Sequence, residues 1–346
     1  MHIPDGYLAP ATCAVTYAAA LPFWIVASRR VGAMMQTKAV PLIALVSAFC
    51  FVVMMFNVPL PGGTSGHAVG MGIAAIVLGP WPAIAAISIA LLVQAVFFGD
   101  GGLTTFGANS LNMAVVGVLV AYAVYRLIAG NAVLTSRRRV VAGAMAGYVA
   151  INVAALCAGV EFGLQPALFH DAAGAPLYAP YPMSVAVPAM LLGHLTFAGL
   201  AEALITGGLV AWLQVSEPAL LQRTAGIAVS WPRMRRFWLG LGVLMVASPL
   251  GLLAAGTAWG EWGAGAFADA AARQAMATAS GNMAPPVAAP AGLARLAGLW
   301  TAPMPDYAPA ILHSAVFGYI LSAMVGGGLI LVVFGLVAML AARRAA

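Results

Sequence analysis

The chain has 346 residues, of which 63% are hydrophobic and only 7% are charged, and its formal net charge is +6. Soluble domains contain roughly 25% charged residues, so this composition excludes an ordinary soluble protein and predicts a polytopic membrane protein. The basic residues lie in short clusters between apolar runs, a pattern that sets membrane topology. We therefore expect the lipid bilayer, and no nucleic acid, as a partner.

The first eight residues, Met-His-Ile-Pro-Asp-Gly-Tyr-Leu, carry nitrogen donors in chelating order. We expect no signal peptide before them, which leaves the α-amine of Met1, the amide nitrogen of His2 and Nδ1 of the His2 ring as one ligand set. Nitrogen donors in a square plane suit Ni(II) and Cu(II), and Co(II) can be forced towards that geometry. Pro4 and the Asp5-Gly6 pair predict a sharp turn that folds the N-terminus back towards the protein.

Seven apolar segments follow, at residues 7–28, 39–58, 68–79, 83–98, 103–128, 140–164 and 183–213. The third has about a dozen residues, too few for a bilayer core that needs roughly 20, so we expect a broken helix that begins at mid-depth. The glycine- and proline-rich stretch before it ends at His67. Lipid would leave its backbone unsatisfied, so it must be packed in protein. This predicts His67 at the N-terminus of a short helix within the membrane.

Basic clusters all fall on one side of this arrangement. They comprise Arg29, Arg30, Lys38, Arg137, Arg138, Arg139, Arg223, Arg233, Arg235 and Arg236. By the positive-inside rule this side is cytoplasmic, which puts Met1 and His67 on the outer side. The terminal Arg343-Arg344 pair predicts a cytoplasmic C-terminus.

The last third of the chain has a different character. Residues 216–235 form a predicted cytoplasmic linker, and residues 236–346 contain two apolar segments, 237–255 and 308–340. The loop of about fifty residues between them is rich in Ala, Gly and Pro, and we expect it to be weakly ordered. The sequence thus predicts an all-α polytopic membrane protein: a seven-helix bundle over residues 1–215 with an inserted N-terminus, plus a two-helix C-terminal module, about nine transmembrane segments in all.

Met1, His2 and His67 share the outer side and a similar depth, so the His67 ring is a candidate fourth ligand of a square-planar site. Four polar residues are candidates for orienting the imidazole ligands through hydrogen bonds, although membrane helices also use such residues for plain interhelical hydrogen bonds. They are Asp5, Gln94, Asn109 and Asn112.

His194 and Glu202 are eight residues apart, roughly two helical turns, and can share a helix face. His194 remains open as a ligand, as a residue that orients a ligand, or as a structural residue. His170 and His313 lie near proline-containing outer loops and are expected to be solvated or structural.

Three classes of function remain open from the residues, one of them a purely scaffolding role in which Met1, His2 and His67 would each be dispensable. A metal-uptake subunit would use Met1, His2 and His67, whereas an intramembrane metalloenzyme would use His194 and Glu202 with a bound metal and an activated water. No Gly-x-x-x-x-Gly-Lys-Ser/Thr motif is present, so any ATP hydrolysis by that route belongs to another chain.

Several stretches resemble the CbiM/NikM family, the substrate-binding membrane components of energy-coupling-factor transporters for cobalt and nickel. They are the first eight residues, Pro-Gly-Gly-Thr-Ser-Gly-His at 61–67, Gly-Pro-Trp at 79–81, and Phe-Phe-Gly-Asp-Gly-Gly-Leu-Thr with Gly-Ala-Asn at 97–109. The tail resembles the small two-helix component that accompanies this family, through Ser-Pro-Leu-Gly at 248–251 and Gly-Thr-Ala-Trp-Gly-Glu-Trp at 256–262. It lacks the Pro-Asp-Gly-Leu-Glu string common in related tails.

The resemblance implies seven helices, an N-terminus inserted into the bundle, and a metal held by Met1, His2 and His67. It implies three partner subunits, namely a transmembrane coupling (T) subunit and two cytoplasmic ATP-binding-cassette ATPases, in a bacterial inner membrane. The substrate would be a divalent transition metal captured from the outer side, with Ni(II) favoured and Co(II) second.

Overall fold

The computed structural model describes residues 1–34, 40–60, 64–222, 231–254 and 256–345. Over these ranges the chain forms helices and one β-hairpin, with strands β1 (Asn57–Leu60) and β2 (Thr64–His67). The α-helices are α1 (Pro10–Met34), α2 (Val40–Met54), α3 (Met71–Leu78), α4 (Pro80–Val93), α5 (Phe106–Asn109), α6 (Gly117–Ala129), α7 (Arg137–Leu168), α8 (Met183–Gly193), α9 (Gly199–Ser216), α10 (Trp231–Ala247), α11 (Ala270–Ala279), α12 (Ala291–Leu296) and α13 (Ala315–Ala345).

Seven helical stretches in the described ranges are long and apolar enough to cross a membrane. They are Pro10–Met34, Pro80–Phe98, Phe106–Ala129, Arg137–Leu168, Met183–Ser216, Met234–Leu253 and Ala315–Leu340. The shorter α2 and α3 occupy the places of the second and third predicted segments, and the expected total of about nine transmembrane segments stays a prediction. The prediction of an all-α polytopic membrane protein is confirmed.

Helix α3 has eight residues, all of them buried, so it cannot cross a bilayer alone. Gly79 ends it with a φ of 76°, a left-handed value that glycine adopts without strain, and Pro80 starts α4 at once. The broken third segment predicted from its length is therefore present.

The stretch before α3 differs from the expectation. It pairs as an antiparallel hairpin in which Asn57 lies opposite His67 and Leu60 lies opposite Thr64. His67 is therefore the last residue of β2, and Ala68 to Gly70 separate it from α3, so its predicted place at a helix N-terminus is wrong. Pairing the two strands satisfies backbone groups that burial would otherwise leave without partners.

Helix α7 is the centre of the bundle, and it presents a row of small residues to α8 and α9. A Cβ added at Gly163 would lie 2.5 Å from Cα of Met183 on α8, and one at Gly143 would lie 2.9 Å from the Val210 side chain on α9. Small residues at such spacing let membrane helices approach closely and gain van der Waals contact. The long α7 thereby fixes the span that carries His194.

The segment between α10 and α13 is ordered, so the expectation of a weakly ordered loop is wrong. It contains α11 and α12, and it buries Trp259, Trp262 and Phe267, whose exposed fractions are 6%, 8% and 0%. A few large side chains among many alanines and glycines dock it onto the first module, and one hydrophobic core includes residues of both modules. Residues 223–230 of the predicted linker lie outside the described residues, as does Lys38.

Candidate metal centre

The first residues of the chain are buried inside one end of the bundle, which confirms the inserted N-terminus. Met1, His2 and Ile3 are exposed by only 3%, 2% and 0%. The main chain of Ile3 is fastened to Asn109, whose Oδ1 accepts from the Ile3 N–H at 2.8 Å while its Nδ2 donates to the Ile3 carbonyl at 3.0 Å. Asn109 thus positions the backbone next to His2, and it does not contact the ring.

Asp5 binds the backbone of the loop that follows the fourth segment. Its carboxylate accepts hydrogen bonds from the N–H groups of Leu103 and Thr104, at 3.0 and 2.7 Å, and from the Thr104 hydroxyl. The Pro4–Gly6 turn that brings Asp5 there has a φ of 89° at Gly6. Asp5 therefore links the N-terminal turn to the loop that follows the fourth segment.

The rings of His2 and His67 stack on each other. Their centroids are 4.8 Å apart with an interplanar angle of 29°, although 65 residues separate them in sequence. His67 is exposed by only 5%. The structure therefore brings together the two imidazoles that the sequence selected.

The ring nitrogens of His67 and His194 follow the same pattern. Nδ1 of His67 lies 3.0 Å from the carbonyl oxygen of Ala68, and Nδ1 of His194 lies 2.8 Å from that of Met190. A carbonyl only accepts, so each Nδ1 carries the proton and each Nε2 keeps a lone pair. In the described part of the chain, Nε2 of His2, His67 and His194 is buried without a hydrogen-bond partner.

Asp100 is the main partner of His2, although the sequence identified it only within the Phe-Phe-Gly-Asp-Gly-Gly-Leu-Thr stretch and not as a candidate site residue. Its Oδ1 lies 2.5 Å from Nδ1 of His2, and its Oδ2 accepts from the Tyr307 hydroxyl at 2.5 Å. Gln94 donates to Tyr307 at 2.8 Å and to Asp100 at 3.3 Å. Gln94 thus acts on His2 through Asp100, one step removed from the ring.

The C-terminal module supplies a second carboxylate. Glu261 lies 3.2 Å from the Met1 amine, and the neighbouring Trp262 carbonyl accepts from the Tyr7 hydroxyl at 2.8 Å. The Thr64 hydroxyl at the start of β2 donates to the carbonyl of Thr257. The fused tail therefore touches both the N-terminus and the hairpin that carries His67.

The electrostatics of the site favour a neutral His67 and an ionised Asp100. Burial lowers the pKa of His67 well below its usual value, and the neighbouring His2 and N-terminal amine lower it further. Burial alone would raise the pKa of Asp100, but its interactions with His2 and the hydrogen bond from Tyr307 outweigh burial and hold that pKa below its usual range. A neutral imidazole is the form that binds metals.

A cavity of about 220 Å³ leads to these rings. His67 and three carboxylates, those of Asp100, Glu261 and Asp306, line it together with Tyr307. Three of the nine acidic residues of the chain thus border one small cavity. A cation entering there meets negative charge before it meets the imidazoles.

The remaining candidate residues lie elsewhere. Asn112 donates to Glu161 at 2.7 Å, away from the rings, and His194 opens onto a small cavity shared with Met1 and Ser65. His170 and His313 are exposed. Glu202 accepts hydrogen bonds from three backbone N–H groups, and no contact within the described ranges joins it to His194. The pairing of His194 with Glu202 that an enzyme would need is therefore not formed.

Within the described ranges, no three His, Cys, Asp or Glu side chains form a group that could hold a metal. A site on His2 and His67 thus needs main-chain nitrogens to reach four donors.

The sequence reading missed Asp100, Glu261 and Tyr307. The rarity of charge was an available signal for the two acids, because the chain has only nine acidic residues and Asp100 stands alone in a Gly-Asp-Gly-Gly run. Another signal exists only in the structure: π-helical turns interrupt three spans, at Gln94–Phe98, Ser110–Val116 and His194–Ala198. Such turns are frequent at functional sites.

Two family models and several known proteins are similar to this chain. A family model described as cobalt uptake substrate-specific transmembrane region matches residues 2–220, and a PDGLE domain model matches residues 235–343. The fused nickel transport protein NikMN of Rhodobacter capsulatus is 61% identical over 100% of both chains. A relative from Lactiplantibacillus plantarum, named probable fused nickel transport protein LarMN, is 43% identical over 94% of this chain and 93% of its own.

A solved structure described as a truncated transition metal transporter has a TM-score of 0.58 and 51% sequence identity, and it covers 62% of this chain and 98% of its own. The helical bundle and these matches define a multi-pass membrane protein of the transporter class. The chain belongs to the CbiM family and carries a PDGLE domain at its C-terminus, even though the Pro-Asp-Gly-Leu-Glu string itself is missing.

Proposed function

We propose that this protein captures a divalent transition metal, Ni(II) in preference to Co(II), at the outer side of a bacterial inner membrane. The observation that carries the proposal is the buried meeting of the Met1 amine with the stacked His2 and His67 rings. The acidic cavity provides a route for a cation, and the full-length relatives named above are nickel transport proteins.

The proposed ligands are the Met1 amine, the His2 amide nitrogen, Nδ1 of His2 and Nε2 of His67. Four nitrogens in a plane suit Ni(II) best among the two metals. In the structure Nδ1 of His2 faces Asp100 and the amine faces Glu261, so the metal would replace one proton at each of these nitrogens. The two carboxylates then remain beside the cation and offset its charge.

We further propose that the protein is the substrate-binding subunit of an ATP-driven energy-coupling-factor transporter. A transmembrane coupling subunit and two cytoplasmic ATP-binding-cassette ATPases would supply the energy, since this chain has no phosphate-binding loop of the Gly-x-x-x-x-Gly-Lys-Ser/Thr kind. The alternative of a metalloenzyme is less well supported, because the backbone already occupies both oxygens of Glu202.

The proposal is tested by adding one residue before Met1 and measuring metal content and absorption spectrum of the purified protein. We expect the unextended protein to bind about one Ni(II) with a square-planar spectrum, and the extended protein to lose most of its affinity, because a peptide nitrogen replaces the amine. A protein with one residue added after Ala346 is the matched control. Equal nickel binding by both extended proteins would remove the amine from the ligand set.

A further inference from the structure

Glu202 of α9 is a buried carboxylate that accepts hydrogen bonds from three backbone N–H groups that follow His67, as well as one from Thr206 on its own helix. It is 0% exposed, and its Oε2 accepts from the N–H groups of Val69 and Gly70, each at 2.8 Å. Its Oε1 accepts from the N–H of Gly72 at 3.1 Å. These N–H groups lie at the beginning of α3, where the helix provides no carbonyl partners of its own.

The same short turn sets the orientation of the His67 ring. Nδ1 of His67 bonds the carbonyl of Ala68, and the next two residues donate to Glu202. Gly70 holds a φ of 78°, and a Cβ there would lie 3.2 Å from Cys50. Only three residues, Ala68 to Gly70, separate His67 from α3. Any shift of the N–H groups that Glu202 binds therefore also moves the Ala68 carbonyl that orients the His67 ring.

Helix α9 is itself held firmly. Near Glu202 its Thr206 side chain fills the space over Gly72 and Gly147, where added Cβ atoms would lie 2.5 and 2.8 Å from the Thr206 hydroxyl oxygen. At the other end, Gln214 donates to the carbonyls of Leu134 and Ser136, both at 2.8 Å. A helix fixed at both ends makes Glu202 a rigid support for the turn.

We propose that Glu202 is a positioning residue for metal capture: it holds the Val69–Gly72 backbone so that Nε2 of His67 faces the other ligands. This inference rests on the proposed function. Both carboxylate oxygens of Glu202 must accept hydrogen bonds to satisfy the three N–H groups. Glutamine has only one acceptor oxygen and would present its NH₂ group to one of these N–H groups. Loss of that fit loosens the turn, so bound metal leaves faster while the ligands themselves are unchanged.

The test compares Glu202→Gln with Glu161→Gln in the purified full-length protein. Glu161 is the matched control, since it is also a largely buried carboxyl within a spanning helix and bonds Asn112 away from His67. We expect E202Q to weaken Ni(II) binding about tenfold or more, mainly through faster dissociation, as is common when a group behind a ligand is removed. Amide hydrogen exchange at residues 69–72 should rise in E202Q, and E161Q should leave both quantities unchanged.

A double substitution separates positioning from general destabilisation. If Glu202 acts through His67, adding E202Q to His67→Ala changes the residual nickel affinity little, because the positioned ring is gone. The proposal is overturned if E202Q lowers the nickel affinity equally in the presence and in the absence of His67. It is also overturned if amide exchange at residues 69–72 is faster in E202Q while its nickel affinity is unchanged. If E202Q does not fold, we measure Thr206→Val instead, which removes the hydroxyl 3.5 Å from Oε1 of Glu202. We expect the same weaker nickel binding and faster amide exchange, both smaller in magnitude. Absence of nickel binding by the unsubstituted protein would overturn the proposed function itself.

Discussion

The three buried histidines with a free Nε2 differ in what holds their Nδ1. A backbone carbonyl holds it in His67 and His194, whereas a carboxylate holds it in His2. A carbonyl can only accept, so it fixes the neutral ring in one tautomer. In the proposed site, Nε2 of His67 is already free for a metal, whereas Nδ1 of His2 must first leave Asp100.

His67 should make the folded protein less stable in mild acid. Its pKa is lowered in the folded state, so below about 6.5 the unfolded chain gains a proton that the folded chain does not, and stability falls as the pH drops. At pH 5.5 the loss due to this one group is about 1 kcal/mol. We expect His67→Asn, measured with chelator present, to lose less melting temperature between pH 7.5 and 5.5 than the unsubstituted protein.

His170→Asn serves as the comparison, because His170 is exposed in the loop between α7 and α8. It should show the same acid loss as the unsubstituted protein. If His67→Asn and His170→Asn follow the same pH curve, the folded protein accommodates a protonated His67, and the burial argument is wrong.

The sequence alone identified His2 and His67 as candidate ligands, but not the residues that contact them in the structure. A histidine next to the chain start is visible in the sequence because its chelating order is local. Glu261 and Tyr307 approach the site from more than 200 residues away, and no periodicity or spacing encodes that approach. The sequence also suggested one shared role for the four polar candidates, but the structure gives them different partners. Asp5 and Asn109 bind the backbone, Gln94 binds the Asp100 carboxylate that contacts the His2 ring, and Asn112 binds Glu161.

At the scale of elements, the lengths of apolar runs predicted the helices well, including the broken third segment. The hairpin was not predictable in this way. Its strands have four residues each and include a proline and a glycine, which are poor strand formers. Strand β2 is buried along its whole length while β1 is only partly buried, so pairing with β1 satisfies a backbone that the bundle has enclosed, a tertiary cause that no local propensity records.

The row of small residues on α7 gives a direct test of packing. Gly163→Ala places a Cβ 2.5 Å from Cα of Met183, which is backbone and cannot rotate away. Overpacking of this kind costs roughly 1–3 kcal/mol, so the melting temperature in detergent should fall. Gly208→Ala on α9, where an added Cβ meets nothing within 4 Å, should be neutral or stabilising, since alanine favours helix. Equal melting temperatures for both variants would mean that α8 moves freely against α7.

At the scale of the whole molecule, the fused tail is part of the candidate metal centre. The segment between α10 and α13 places Glu261 at the Met1 amine and Tyr307 on Asp100, and helix α13 packs against the first module. Average composition predicted weak order in that segment, because composition counts many alanines and glycines and gives little weight to five aromatic side chains. Those few side chains determine where the segment docks.

The positive-inside rule predicts an orientation of this molecule in which its basic clusters face the cytoplasm. We expect single cysteines, introduced after replacing Cys13, Cys50 and Cys157, to report it. Ala173→Cys, exposed in the loop between α7 and α8, should react with an impermeant maleimide in intact spheroplasts.

Asn131→Cys is the matched position, equally exposed but next to the Arg137–Arg139 cluster. It should react only after the membrane is permeabilised. This outcome would place the acidic cavity and the His2–His67 pair at the outer surface, where a metal to be imported arrives. The reverse labelling pattern would turn the cavity towards the cytoplasm, and a molecule so oriented could not capture metal from outside by the proposed route.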